Sequence, residues 1–216
     1  MTHPPLRGLY AITDARLTPG DRLLERVDAA LCGGARWIQY RDKGTNAARR
    51  LAEARALAEL CHVHDAGLIV NDDVELAAAS GADGVHIGLE DCALESARTR
   101  LGAQAVIGVS CYNRLELAED AAASGADYVA FGSVFPSPTK PQAARADLDL
   151  LRKARTRLTV PICAIGGIDA RNAAAVAATG VDMLAVISGV FGEQDPENAA
   201  GEIVRVMEAG ISVSRR

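Results

Sequence analysis

Short, nearly continuous apolar runs recur along the chain at Leu9 to Asp14, Trp37 to Lys43, Gly67 to Asp72, Gly84 to Gly88, Val106 to Cys111, Tyr128 to Phe135, Pro161 to Gly166 and Met183 to Gly189. Unbroken apolarity over so few residues predicts strands buried on both faces, as in a parallel sheet. The segments between them carry helical spacing. In Asp21 to Cys32, Leu24, Val27 and Leu31 share a face, and in Ala47 to Leu60, Leu51, Ala54, Leu57 and Ala58 do so. Weaker helical patterns cover Val74 to Ala79, Leu94 to Leu101, Arg114 to Ala123, Leu148 to Leu158, Arg171 to Ala178 and Pro196 to Ala209. Strict alternation of strand and helix predicts an α/β fold, a single-domain (β/α)8 TIM barrel over residues 9–210. Residues 1–8 form an N-terminal extension in this reading, and residues 211–216 a mobile tail.

An internal echo supports the alternation. Gly34-Ala35-Arg36, Gly81-Ala82-Asp83, Gly125-Ala126-Asp127 and Gly180-Val181-Asp182 each close a helix and lead into a strand. Glycine supplies the left-handed stop that ends the helix. These turns belong at the bottom of a barrel, where residues serve stability, while the polar clusters that end the apolar runs share the top.

Composition shapes this picture at three points. The 216 residues are 49% hydrophobic but only 4% aromatic, so the core is built from Ala, Val, Leu and Ile. A net charge of −5 argues against nucleic acid or anionic membrane as partner. Cys32, Cys61, Cys92, Cys111 and Cys163 are odd in number and lack CxxC spacing, which predicts free thiols in a reducing compartment. With no apolar leader segment in Met1 to Gly8 and no run long enough to span a bilayer, a cytoplasmic protein is expected. Self-association into a homo-oligomer stays open.

The candidate chemistry lies where the apolar runs end. Gln39, Arg41 and Lys43 alternate, so they share one face while Tyr40 and Asp42 point the other way. Two cations on one face suit an oligoanion, although the same spacing suits a salt-bridged strand end. Asn71-Asp72 and Asp91 follow consecutive strands and become neighbours in a barrel. Two such carboxylates match the donors magnesium takes from protein, but each also suits a helix cap. Ser137, Pro138, Thr139 and Lys140 lie in a long loop after the sixth strand, a place for a clamp. Gly166-Gly167 and Ile187-Ser188-Gly189 occupy the usual barrel position for phosphate held by backbone N–H groups.

Other positions read as structural. Cys61-His62-Val63-His64 sits at a helix C-terminus on the bottom side, where His favours the dipole. His86 reads as core or support, Arg152-Lys153-Arg155-Arg157 as a solvated helix face, Cys111 as packing, and Asp14 as either a cap or a substrate-orienting group.

Taken in order, Gln-Tyr-Arg-Asp-Lys, Asn-Asp, His-Ile-Gly with a downstream Glu-Asp, Gly-Val-Ser, Pro-Ser-Pro-Thr-Lys and Ile-Gly-Gly-Ile resemble the thiamine phosphate synthase family from about Leu9 to Val190. The resemblance implies condensation of 4-amino-2-methyl-5-hydroxymethylpyrimidine diphosphate with 4-methyl-5-(2-phosphooxyethyl)thiazole, giving thiamine phosphate and pyrophosphate. It implies that Gln39, Tyr40, Arg41, Asp42, Lys43, Asn71, Ser110 and Lys140 bind the pyrimidine diphosphate, with Arg41, Lys43, Lys140 and Ser110 serving catalysis. Asp72 and Asp91 would hold Mg2+, and Ser137, Pro138, Thr139, Gly167, Ile187 and Ser188 the thiazole phosphate. Leu89 stands where members often carry Gln, and Ser133 follows Gly132 where many carry Pro.

Two rivals are weighed. A thiazole tautomerase shares the phosphate pocket but needs an acid/base His near Gly132, where this chain has Ser133. A non-catalytic thiamine phosphate-binding regulator has little use for cations and carboxylates aimed at a leaving group.

Overall fold

A computed structural model describes residues 3–136 and 145–214. Eight parallel strands close into a barrel in the order β1-β2-β3-β4-β5-β6-β7-β8. They are β1 (Gly8–Ile12), β2 (Trp37–Tyr40), β3 (Gly67–Asn71), β4 (Gly84–Ile87), β5 (Val106–Tyr112), β6 (Tyr128–Phe131), β7 (Ile162–Ile165) and β8 (Met183–Val186). Closure is sealed by the register of Gly8 with Met183 and Tyr10 with Ala185. The helices of the outer ring are α1 (Leu23–Cys32), α2 (Ala47–Val63), α3 (Val74–Ser80), α4 (Leu94–Leu101), α5 (Leu115–Ala123), α6 (Leu148–Arg157), α7 (Ala173–Ala177), α8 (Ser188–Phe191) and α9 (Pro196–Ser214).

The expected alternation of strand and helix is present, with three corrections. Most strands stop short of the sequence estimate, because the polar residues that follow leave the ladder and turn over the rim. Ser188 and Gly189, expected on the last strand, open the short helix α8 instead. The last helix passes the expected end at Ala209 and takes in residues 211–214 of the segment expected to be a tail.

Alternation along each strand divides the core in two. Outward residues such as Ile38, Leu68, Val85, Ile107, Val129 and Leu184 pack against small side chains of the helices, including Ala54, Ala97, Ala118 and Ala154. Inward residues Tyr10, Trp37, Ile69, Val106, Tyr128, Cys163 and Met183 fill the barrel itself. Few large rings fit there, and glycines make room for them. A Cβ at Gly67 would overlap the Trp37 ring, and one at Gly108 the Tyr128 ring.

The bottom turns form a repeated device. Gly34, Gly81, Gly125 and Gly180 all have φ between 79° and 98°, a region that a Cβ penalises. In the last three turns an aspartate reaches back to the preceding strand. Asp83 accepts from Leu68 N at 2.8 Å, Asp127 from Ile107 N at 2.7 Å and Asp182 from Ile162 N at 2.8 Å. Each of these carboxylates also meets His62, Arg98 or Arg155 of the preceding helix layer. Arg155 therefore departs from the solvated face expected of its run. It anchors the start of β7, donating also to the carbonyls of Leu158 and Val160.

Candidate active site

A cavity of about 320 Å3 opens at the carboxyl ends of the strands, as the barrel geometry requires. Its lining includes Gln39, Arg41, Asn71, Ser110, Gly167, Ile187 and Ser188 from five different strands or the loops after them. A broader groove of about 690 Å3 shares Asn71 and continues over Lys43 and Asp72. Asp42, Lys43, Asn71 and Asp72 thus lie on a second depression connected to the first, while Asp91 lines neither.

The floor is a hydrogen-bonded polar chain. Gln39 Nε2 donates to the Tyr10 hydroxyl at 2.7 Å, and that hydroxyl lies 3.1 Å from the hydroxyl of Tyr128. His86 bridges onward, Nδ1 to the Tyr128 hydroxyl at 3.0 Å and Nε2 to Ser110 Oγ at 2.9 Å. Burial pushes both tyrosines above their ordinary pKa, so they stay neutral and position their neighbours without charge. The amide of Gln39 and the hydroxyl of Ser110 are fixed from below, and both border the cavity.

The charged rim is built on the loops after β2, β3 and β4. Arg41 lies 3.8 Å from Asp14, whose carboxylate also accepts from Arg16 N at 3.0 Å, so Asp14 shapes its turn and steadies Arg41. Lys43 is 68% exposed, with Nζ 3.6 Å from Asp72. Tyr40 and Asp42 turn outward, as the alternation predicted. The Tyr40 hydroxyl donates to Glu53 at 2.6 Å and Asp42 pairs with Arg49 at 2.6 Å, both on α2.

The helix-cap alternative for Asp72 does not hold. Asp73 is the residue that caps α3, accepting from Leu76 N at 2.9 Å. Asp72 is held instead at φ 64°, an uncommon conformation for a non-glycine residue and one that concentrates at functional sites. Burial and the adjacent Asp91 carboxylate push Asp72 above the usual carboxylate range, and Lys43 offsets only part of this. Asp91 is tied by one oxygen to Gly88 N at 2.7 Å. Two hard oxygen donors forced together and open to a groove suit a divalent cation that keeps its remaining positions for water and phosphate.

On the opposite rim, Gly166 and Gly167 follow β7 with φ of 109° and 61°. A Cβ at Gly167 would come within 2.5 Å of the Pro136 carbonyl oxygen. Asn172 Nδ2 fixes this turn by donating to Gly167 O at 2.9 Å. Beside it Ile187 and Ser188 begin α8. Ser137, Pro138, Thr139 and Lys140 lie outside the described residues. Of the two departures, Leu89 is 56% exposed, whereas Ser133 is buried with Oγ donating to Phe135 O at 2.6 Å.

Sequence reasoning missed four contributors. Tyr10 and Tyr128 lie within apolar runs, and only barrel closure brings them together. Tyr112, at φ 55°, lines the cavity from the end of β5. Arg26 donates to Phe191 O at 2.7 Å and Glu193 O at 2.8 Å, fixing the end of α8. A signal for it existed, because Arg26 interrupts the apolar stripe of Leu23, Val27, Ala30 and Leu31.

A cavity with cations and carboxylates on one rim and a backbone cradle on the other marks a phosphate-handling (β/α)8 enzyme. Comparison with known proteins narrows that class to a single family. The thiamine monophosphate synthase family model matches residues 9–190, and the chain belongs to that family. It is 55% identical over 203 residues to the thiamine-phosphate synthase of Thioalkalivibrio sulfidiphilus, covering 94% of this chain and 96% of that one. The thiamine phosphate pyrophosphorylase of Pyrococcus furiosus superposes with a TM-score of 0.88 at 40% identity, over 95% of this chain and 98% of that one. A geranylgeranylglyceryl phosphate synthase from Thermoplasma acidophilum, 15% identical with a TM-score of 0.72 over 94% of each chain, shares the fold. Thiamine-phosphate synthesis, a transferase activity, is the function these relationships support. Among the described residues, no helix is long and apolar enough to cross a membrane.

Proposed function

We propose that this chain transfers the pyrimidinylmethyl group of 4-amino-2-methyl-5-hydroxymethylpyrimidine diphosphate to the ring nitrogen of 4-methyl-5-(2-phosphooxyethyl)thiazole. Thiamine phosphate and pyrophosphate are the products. The observation that carries this reading is the division of one site into a charged rim and a neutral hydrogen-bonded floor. The floor, with Gln39, Asn71 and Ser110, suits an aminopyrimidine that offers both donors and acceptors. Arg41 and Lys43 face the position of the diphosphate, joined in the family pattern by Lys140.

Breaking the carbon–oxygen bond leaves negative charge on the departing diphosphate and positive charge on the pyrimidine methylene. Groups already aimed at the first of these charges lower the barrier, because they need no reorganisation when it develops. Asp72 and Asp91 would hold Mg2+, which supplies further neutralisation of the leaving group when bound. The thiazole phosphate rests on the Gly167 turn and the Ile187-Ser188 segment, which keeps the thiazole nitrogen close to the methylene. Attack by that nitrogen needs no general base, and no catalytic triad is assigned. The Ser133 hydroxyl is committed to Phe135 O, which disfavours a tautomerase relying on an acid/base group there. Cytoplasmic location accords with a soluble biosynthetic transferase of this kind.

The test mixes both phosphorylated substrates with the protein, with and without Mg2+, and follows pyrophosphate and thiamine phosphate in parallel. Equal, Mg2+-dependent formation of both products is expected. Absence of turnover by folded protein would sink the reading, and binding of thiamine phosphate without pyrophosphate release would favour a regulator.

A further inference from the structure

At the opposite end of the barrel, Asp28, Cys32 and His64 bring a carboxylate oxygen, a thiol sulfur and an imidazole nitrogen within 4.8 Å of one another. Asp28 and Cys32 are four residues apart on α1, so one turn of helix stacks them on the same face. His64 arrives from the C-cap of α2, with Nε2 already 2.8 Å from Asp28 Oδ1. All three groups are at least partly accessible to solvent.

We propose that Asp28, Cys32 and His64 form a second metal site, for a borderline-soft divalent cation of the zinc class. The donor set of sulfur, nitrogen and oxygen is one that zinc accepts in tetrahedral geometry, with water in the fourth position. Magnesium, which takes oxygen donors, is a poor match. Binding replaces the thiol proton of Cys32, which passes to solvent, and uses the lone pair of neutral His64 Nε2. A bound ion cross-links the ends of α1 and α2. Because these ends lie at the bottom, the ion adds stability without entering the reaction at the top.

The experiment titrates the full chain with Co2+ in the presence of Mg2+ and records the thiolate-to-cobalt charge-transfer band in the near ultraviolet. The expected result is saturation at one equivalent, loss of the band in Cys32→Ser and in His64→Ala, and retention in Cys92→Ser. No stoichiometric band, or a band that survives Cys32→Ser, overturns the proposal. A second measurement needs no variant. Zn2+ should slow alkylation of Cys32, mapped by mass spectrometry, at least tenfold while leaving exposed Cys92 unchanged; equal rates at Cys32 with and without Zn2+ overturn it as well.

Discussion

Asp83, Asp127 and Asp182 at the amino ends of the strands, and Asp72 and Asp91 at the carboxyl ends, are the same side chain in opposite circumstances. Below, each carboxylate accepts from a strand N–H and meets a cationic or imidazole partner. Above, two carboxylates adjoin one another, one on a left-handed backbone, and the exposed Lys43 is the lysine in reach among the described residues. The lower arrangement lowers the energy of the fold. The upper one raises it, which is what the proposed Mg2+ site would exploit. Stability and function are therefore separable by position in this barrel.

The sharpest way to break that separation is Asp72→Asn. Asparagine tolerates the left-handed region, so the substitution removes charge without adding strain. Turnover should fall on the order of a hundredfold. The folded-state pKa of Asp72 is raised, so its ionised form carries a stability penalty that is fully present above that pKa and fades as pH falls through it toward the lower unfolded-state value. Asp72→Asn should thus leave the metal-free Tm at neutral pH unchanged or higher. A lower Tm together with near-normal turnover would reverse the comparison.

Asp127→Ala is the counterpart below. It orphans the buried Ile107 N–H and removes the carboxylate that pairs with Arg98, a loss of about 2 kcal/mol in denaturant unfolding. The turnover of the remaining folded protein should be normal. A large loss of turnover would show that the ends are coupled through the strands. Between these extremes stands Tyr128→Phe, which keeps the ring against Gly108 but deletes the hydroxyl that links Tyr10 to His86. A lost hydrogen bond of about 1 kcal/mol predicts roughly a fivefold rise in KM for the pyrimidine substrate. An unchanged KM would make the polar floor a packing feature only.

Much of the scaffold was legible because local pattern and global fold agree. Each glycine turn announces a helix end, and each short apolar run must be buried on both faces. Gln39, Arg41, Asn71 and Ser110 were legible for the same reason, since a strand end in a parallel barrel has only one place to point. What escaped depends on closure or on single contacts. Tyr10 and Tyr128 are 118 residues apart and meet only across the finished barrel. The four residues of α8 are too few for a periodic signal, and the helix is held by Arg26 from α1. Arg155 looked solvated because its neighbours on α6 are, while its own partner, Asp182, lies beyond the next strand.

The smallest expected effect concerns the thiols, and it tests whether Cys111 belongs to the scaffold although it adjoins Ser110. Cys111 points outward from β5 into the helix layer, and burial pushes its thiol up to about 12. Cys61 is likewise pushed up to about 12 by burial. The thiolate is the reactive form, so at mildly alkaline pH both should resist iodoacetamide while exposed Cys92 reacts. Occupying the site with pyrophosphate should not alter that order, because no step proposed for the top of the barrel passes through sulfur. Labelling of Cys111 in the folded protein, with suppression by pyrophosphate, would place its sulfur on the site side of β5 and move that residue from the scaffold to the functional end.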